Sequence, residues 1–300
     1  MLCSFYSLQD SIARYVVSMT DHVEQLIDMA LSEDIGSGDV TSEYFVPKEA
    51  KARAFMLVKA EGVVAGLEIA QCVFEKVDSD ISTKILIPDG SKVTKGARVM
   101  EITGPARSVL TAERVALNFM QRLSGIATKT ASFVELTEGT KAEVLDTRKT
   151  TPGWRELEKM AVRAGGGTNH RMGLYDRAMV KDNHLVAEHD IDDIQAAITR
   201  LKSEKPNVEV ELEADRLDQV EAFLKLEGVD HILLDNMTLE QMMKAVEMRG
   251  DSATPKLEAS GGVNESTVAG ISKTGVDFIS VGALTHSAVA LDISLDFVEL

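Results

Sequence analysis

The chain has 300 residues, 44% of them hydrophobic and 27% charged, with a formal net charge of −16. That apolar content suits a folded protein of about two domains and excludes general disorder, and no run approaches the ~18 apolar residues of a membrane-spanning helix. The acidic balance argues against duplex nucleic acid and anionic membranes, which require a basic face, and two cysteines, Cys3 and Cys72, exclude a disulfide framework and point to a reducing, cytoplasmic setting.

Residues 1–20 lack a basic start and a continuous apolar core, so they read as an N-terminal extension, with Met19 an alternative start. His22–Ser32 has helical spacing, and EDIGSGDVTS (33–42) reads as a loop. Ala52–Val64 has strand character interrupted at Glu61–Gly62. Gly66–Val77 is helical, Pro88-Asp89-Gly90 is a turn, and Val99–Thr103 is a short strand. Leu110–Leu136 is helical with an interruption near Ser124-Gly125, and the domain junction falls within it. The second half alternates strand and helix. Strands are expected at Ala142–Asp146, Ala178–Lys181, Val208–Leu212, His231–Leu234, Lys256–Ala259 and Phe278–Val281. Helices are expected at Asp192–Lys202, Leu217–Leu226, Leu239–Arg249 and Glu265–Lys273. This alternation predicts a parallel sheet. A doubly wound dinucleotide fold requires G-x-G-x-x-G after its first strand, which is missing, so a (β/α) barrel is preferred. The fold class is α/β, with a sandwich-like N-terminal α/β domain over 21–128 and an incomplete (β/α) barrel over 129–300, whose last residues return to the N-terminal domain.

The charge reverses locally. Residues 147–181 carry eight basic and three acidic side chains within a strongly acidic protein. Arg155, Lys159 and Arg163 share one helical face and read as solvated, partly paired with Glu156 and Glu158. Arg148, Lys149, Arg171 and Lys181 sit at strand ends or in loops, the active-site face of a barrel, where they suit carboxylates or phosphates. Glu209, Glu211 and Glu213 alternate on one strand face, which lines the pocket or forms a solvated edge. Asp235 ends an apolar run and reads as a pocket carboxylate or a helix N-cap. Carboxylates facing a basic cluster suit Mg²⁺ bound with substrate phosphates. Ser260-Gly261-Gly262 and Val281-Gly282-Ala283 place glycines at the last two strand ends, where barrels bind phosphate. His170 lies in the basic loop and is equally a structural or a functional residue. Trp154 reads as a packing anchor and Cys72 as buried and inert. His184, His189 and His286 have no zinc-ligand spacing.

LDTRKTTPGWRELEKMAVRAGGGTNHRMGLYDRAMVKDNHL (145–185) resembles the quinolinate phosphoribosyltransferase family. ALSEDIGSGDVTS (30–42), LTAERVALNFMQRLSGIAT (110–128), VEVELEAD (208–215), ILLDNM (232–237), EASGGV (258–263) and GVDFISVGALTHSA (275–288) extend the similarity from about residue 22 onward. The resemblance implies phosphoribosyl transfer from phosphoribosyl pyrophosphate to quinolinate with decarboxylation, giving nicotinate mononucleotide, pyrophosphate and CO₂, with Mg²⁺. It implies that Arg148, His170, Arg171 and Lys181 face the pyridine dicarboxylate, that Thr147 is among the substrate-binding residues and that Lys149 is shared between substrate and pyrophosphate. Glu211 and Asp235 would face the ribose and the metal, with Glu213 the competing carboxylate. Ser260, Gly261 and Gly282 would hold the 5′-phosphate, and Arg114 would enter a neighbouring subunit's pocket in a homodimer. The rival readings are a molybdenum-transport relative of the same fold, a nicotinate phosphoribosyltransferase, a Schiff-base aldolase using Lys181, and a phosphate-ligand sensor.

Overall fold

The computed structural model describes residues 20–181 and 191–299. Cys3, Met19, His184 and His189 lie outside the described residues.

Helix α1 (Asp21–Ile35) begins at Thr20, whose hydroxyl accepts from Val23 N, and buries Val23, Leu26, Ile27 and Leu31 on one face. The segment read as a ten-residue loop is shorter in the structure. Its first residues finish α1, and Asp39 caps α2 (Val40–Phe45) by accepting from the Thr41 and Ser42 amides at 3.1 and 3.0 Å. A polar Asp-Ser-Thr run serves a helix start as well as a loop, because these side chains satisfy the free N–H groups of a first turn.

The N-terminal sheet contains β1 (Lys51–Val58), β3 (Ser82–Ile85) and β5 (Arg98–Pro105), with a two-residue pair β2 (Gly62–Val63) and β4 (Lys92–Val93) beside it. Ala52, Ala54, Met56 and Val58 alternate inward from β1 into the apolar core beneath α3 (Leu67–Val77). The fourth strand of this antiparallel sheet, in the order β12-β1-β5-β3, is β12 (Ile293–Glu299), which comes from the far end of the chain.

Helix α4 (Ala106–Leu136) is continuous through 31 residues, about 46 Å, without the interruption expected at Ser124-Gly125. Those two residues are small for tertiary reasons. A Cβ on Gly125 would lie 2.1 Å from the Val289 carbonyl oxygen, and the Ser124 hydroxyl bridges the Ala65 N–H and C=O at 3.0 and 3.1 Å.

From α4 the chain alternates through β6 (Glu143–Leu145), α5 (Arg155–Ala164), β7 (Arg177–Val180), α6 (Ile191–Glu204), β8 (Glu209–Ala214) and α7 (Leu217–Phe223). It continues through β9 (His231–Asp235), α8 (Leu239–Arg249), β10 (Lys256–Ser260), α9 (Val268–Ser272), β11 (Phe278–Ser280) and α10 (Ala283–His286). The six strands are parallel, in the order β6-β11-β10-β9-β8-β7. The first strand pairs with the last, so the sheet curls round instead of branching from a central strand. It stays open between β6 and β7, where Thr168 takes the free edge of β6 through an isolated bridge to Leu145. This is an incomplete (β/α) barrel.

Candidate active site

Pleating decides which side chains enter the barrel. Val210, Leu212 and Ala214 of β8 join the apolar core, so Glu209, Glu211 and Glu213 turn inward. The registers Met179↔Glu211↔His231, Glu213↔Leu233↔Glu258 and Asp235↔Ser260 stack the inward residues in layers. At the C-terminal mouth lie Thr147, Lys181, Glu213, Asp235, Ser260 and Gly282, each at or just beyond a strand end. The interior face wins over the solvated-edge reading of the glutamates.

Glu211 and Glu213 part company here. Glu213 is at the mouth, its carboxylate ion-paired with Lys181 Nζ. Glu211 is wholly buried one layer down, 3.3 Å from His170 Nε2 and 3.5 Å from Arg177 Nη1. The structure therefore places Glu211 in the interior of the barrel and Glu213 at its mouth. Two residues along a strand return to the same face but move about 6.6 Å along it, which here separates the core from the mouth.

Asp235 does not cap α8. Thr238 does, with Gln241 completing a capping box, and the Asp235 carboxylate accepts instead from the Asn236 side-chain amide at 2.8 Å. Asn236 adopts the left-handed conformation at φ 53°, and its N–H donates to the Ser260 carbonyl at 2.9 Å. The β9 and β10 ends are thus joined. Gly282 faces Lys149: a Cβ there would meet Lys149 Cδ at 3.1 Å and the His286 ring at 3.3 Å. The Lys149 carbonyl is in turn fixed by the Thr285 hydroxyl at 2.8 Å, and the Thr147 hydroxyl accepts from Lys149 N at 3.1 Å.

Arg148 and Arg171 lie within electrostatic reach of each other, with the Arg171 guanidinium beside the Arg177 carbonyl and the Met179 sulfur. Burial lowers the Arg171 pKa, and the nearby Arg148 charge lowers it further. Two guanidiniums within electrostatic reach create demand for an anion. Arg148 Nε is buried without a hydrogen-bond partner among the described residues.

His170 is buried. Its Nδ1 accepts the Arg171 N–H at 2.7 Å, which leaves the ring proton on Nε2, facing Glu211 and Glu258 at 3.3 and 3.4 Å. Burial pushes the imidazole pKa down, but the two carboxylates outweigh it and raise it to about 9. Among the described residues, His170, Glu211 and Glu258 are the set that brings three metal-capable atoms within 4.8 Å of one another.

The loop bearing these groups rests on residues first read as solvated. Lys159 is buried, ion-paired with Asp146, and donates to the His170 carbonyl at 2.9 Å. Asp146 also accepts from His170 N at 2.8 Å and Asn169 Nδ2 at 2.6 Å. Burial raises the Asp146 pKa and lowers that of Lys159, each opposed by the other's charge. Arg155 ties the Arg148 and Met172 carbonyls together at 3.3 and 3.0 Å, and only Arg163 of the three remains exposed. Glu158 is buried against Arg122 of α4 at 2.8 Å, and Trp154 stacks on Phe119 at 4.7 Å as a packing anchor. Helical periodicity sees an i, i+4, i+8 stripe but not the Asp146 that meets it from another strand. Cys72 is half-buried, and burial raises its thiol pKa. Arg114 stands apart from the barrel, its side chain 60% exposed on α4, with Glu113 3.9 Å away.

Comparison with known proteins agrees with this architecture. Residues 39–124 and 126–296 match the models of the quinolinate phosphoribosyl transferase N-terminal and C-terminal domains. The chain is 41% identical over 280 residues to a carboxylating nicotinate-nucleotide pyrophosphorylase of Mycobacterium leprae, covering 92% of this chain and 97% of the relative. It is 38% identical to a decarboxylating quinolinate phosphoribosyltransferase of Nicotiana tabacum, covering 97% and 88% respectively. The solved structure of NadC from Streptococcus pyogenes superposes with a TM-score of 0.86 at 39% identity, covering 94% of this chain and all of that one. Matched through both domains, and with a charge-reversed barrel mouth assembled from the shared motifs, the chain belongs to the quinolinate phosphoribosyltransferase family.

Proposed function

We propose that the chain joins quinolinate to phosphoribosyl pyrophosphate with loss of CO₂, giving nicotinate mononucleotide and pyrophosphate for NAD synthesis. The observation that carries this reading is the barrel's charge-reversed site. Arg148, Lys149, Arg171 and Lys181 come from the strand ends and loops of the barrel that also carries Glu213 and Asp235, with Lys181 ion-paired to Glu213, in a protein of net charge −16. Quinolinate is a dianion, and Arg148, Arg171 and Lys181 supply the positive charge to seat its carboxylates. Lys149, beside Gly282, reaches the pyrophosphate, while Ser260 and Gly261 lie where the 5′-phosphate needs close backbone approach. As the C1–oxygen bond to pyrophosphate breaks, positive charge grows on the ribose, and the Glu213 and Asp235 carboxylates stabilise it. The quinolinate nitrogen then bonds to C1 and becomes cationic. Loss of the adjacent carboxylate as CO₂ leaves an electron pair beside that cation, and a proton completes the nicotinate ring.

Glu213 and Asp235 offer the hard oxygen donors that Mg²⁺ takes, and Asp235 has only an amide partner among the described residues. Mg²⁺ held there with the substrate phosphates would neutralise charge on the departing pyrophosphate. The Schiff-base alternative loses support, because Lys181 is ion-paired with Glu213, a setting for an ammonium and not a nucleophilic amine.

Arg114 is supplied across a homodimer interface in this reading. It is exposed and paired with its neighbour Glu113, while Val40, Tyr44 and Phe45 lie exposed on the neighbouring α2, as do Leu174 and Tyr175 before β7. Such apolar exposure marks association surfaces. No helix among the described residues is long and apolar enough to cross a membrane. The cysteine-poor chain suits a reducing cytoplasm.

The test is release of labelled CO₂ from carboxyl-labelled quinolinate. Release that requires both phosphoribosyl pyrophosphate and Mg²⁺ supports the proposal. Absence of release with both present overturns it.

A further inference from the structure

The lumen of the barrel beneath the mouth is polar, and the mechanism above makes no use of it. Glu258 of β10 is wholly buried one layer below Ser260. One carboxylate oxygen accepts from the Ser280 hydroxyl and lies 3.4 Å from His170 Nε2, so the side chain reaches across the lumen to the loop before β7. Glu211 approaches the same nitrogen from β8 at 3.3 Å. The other edge of the His170 ring accepts the Arg171 N–H at 2.7 Å. The His170 backbone is held separately, its N–H by Asp146 and its carbonyl by Lys159. Among the described residues, the Arg171 guanidinium is anchored to the Arg177 carbonyl at 3.1 Å and the Met179 sulfur at 3.5 Å.

We propose that Glu258 is a positioning residue for the quinolinate half of the site: it holds the His170 ring, the ring holds the Arg171 peptide, and Arg171 presents its guanidinium to the substrate. The proposal rests on the reading of Arg171 as a quinolinate ligand. His170 Nδ1 accepts the Arg171 N–H, while Nε2 has the Glu211 and Glu258 carboxylates at 3.3 and 3.4 Å without a hydrogen bond, so the ring is placed between Glu258 and the Arg171 peptide. Glu258 is a cleaner probe of this than Glu211, because Glu211 also faces Arg177 at 3.5 Å and its loss unpairs a second cation. The same three side chains have the composition of a metal site, but the Arg177 guanidinium against Glu211 already offsets the charge a divalent ion would balance.

The test uses the full-length enzyme with Glu258→Gln, which keeps the shape and removes the charge, and Glu258→Asp, which keeps the charge if the first variant fails to fold. Glu258→Gln is expected to raise KM for quinolinate ~10-fold while KM for phosphoribosyl pyrophosphate stays within about twofold. In a His170→Asn background the same change should add less than about twofold, since a residue acting through His170 has nothing left to act on. Nitrogen-15 NMR of the His170 ring reads the proposal apart from activity: the ring-nitrogen shifts move in Glu258→Gln. Equal rises in both KM values, a full multiplicative penalty in the His170→Asn background, or an unmoved ring signal overturns the proposal. So does one equivalent of manganese or zinc in the purified wild type that is lost in Glu258→Gln. If the wild type releases no CO₂ from quinolinate, the functional reading fails, and the NMR measurement still decides whether Glu258 holds the His170 ring.

Discussion

Asn236 and Gly261 approach so closely across the β9–β10 pair that a Cβ on residue 261 would lie 2.1 Å from Asn236 Oδ1. Both residues are in the left-handed region, at φ 53° and 90°. The contact places the Asp235 carboxylate beside the Ser260-Gly261 turn, bringing the proposed ribose and phosphate ends of the pocket together. Gly261→Ala therefore meets two penalties, a strained φ and a clash with Asn236, together on the order of 1–3 kcal/mol. A lower melting temperature and a rise in KM for phosphoribosyl pyrophosphate are expected. A variant with wild-type KM would show that the turn does not set the ribose-phosphate site.

Glu211 and Glu213 should separate in mutagenesis. Glu213→Gln is expected to keep the melting temperature and lose turnover by ~10²-fold or more, because a mouth carboxylate facing growing positive charge is removed. Glu211→Gln is expected to lose stability instead, about 3 kcal/mol, because it leaves Arg177 and His170 in the lumen with one counter-charge fewer. Urea denaturation and kcat on the same samples test the pair, and a reversed pattern would return the catalytic role to Glu211.

Lys159→Met should be among the more damaging substitutions on α5 despite its distance from the mouth. It leaves Asp146 buried without its cation, a loss on the order of 3–5 kcal/mol. Lys159→Met combined with Asp146→Leu should recover part of that stability but not activity, because the His170 backbone loses both of its anchors. Recovery of activity in the double variant would show that the pair serves stability alone.

The interface role of Arg114 predicts complementation. Arg114→Ala and Lys149→Ala subunits, each inactive alone, are mixed and allowed to exchange. About half the dimers are then mixed, each with one intact site, so activity should rise toward about a quarter of wild type. Verified exchange with no activity would place Arg114 outside the partner's pocket.

The barrel half was legible because parallel strands buried on both faces leave short β-rich runs at a steady beat. Leu239–Arg249 is a helix over the full span its spacing predicts, and the six barrel strands lie within one or two residues of the expected runs. The N-terminal half was less legible. Asp39 and the small residues Ser124 and Gly125 look local in a sequence, yet they also answer to contacts made with Thr111, Ala65 and Val289. The partner of β1 lies more than 230 residues away in β12, a pairing no local pattern encodes.

The sequence by itself determined the reversal of charge at the strand ends, because a local excess of arginine and lysine in an acidic chain needs no tertiary knowledge to be seen. It also determined that Glu209, Glu211 and Glu213 share a face, since strand alternation is a backbone property. Only the tertiary structure decided how deep each glutamate sits. Depth depends on where neighbouring strands end, and that separates Glu213 beside Lys181 from Glu211 beneath His170. It likewise decided that Lys159 is buried and Glu258 crosses the lumen, because burial of a charge is settled by the partner the fold brings to it, here Asp146 for one and His170 for the other.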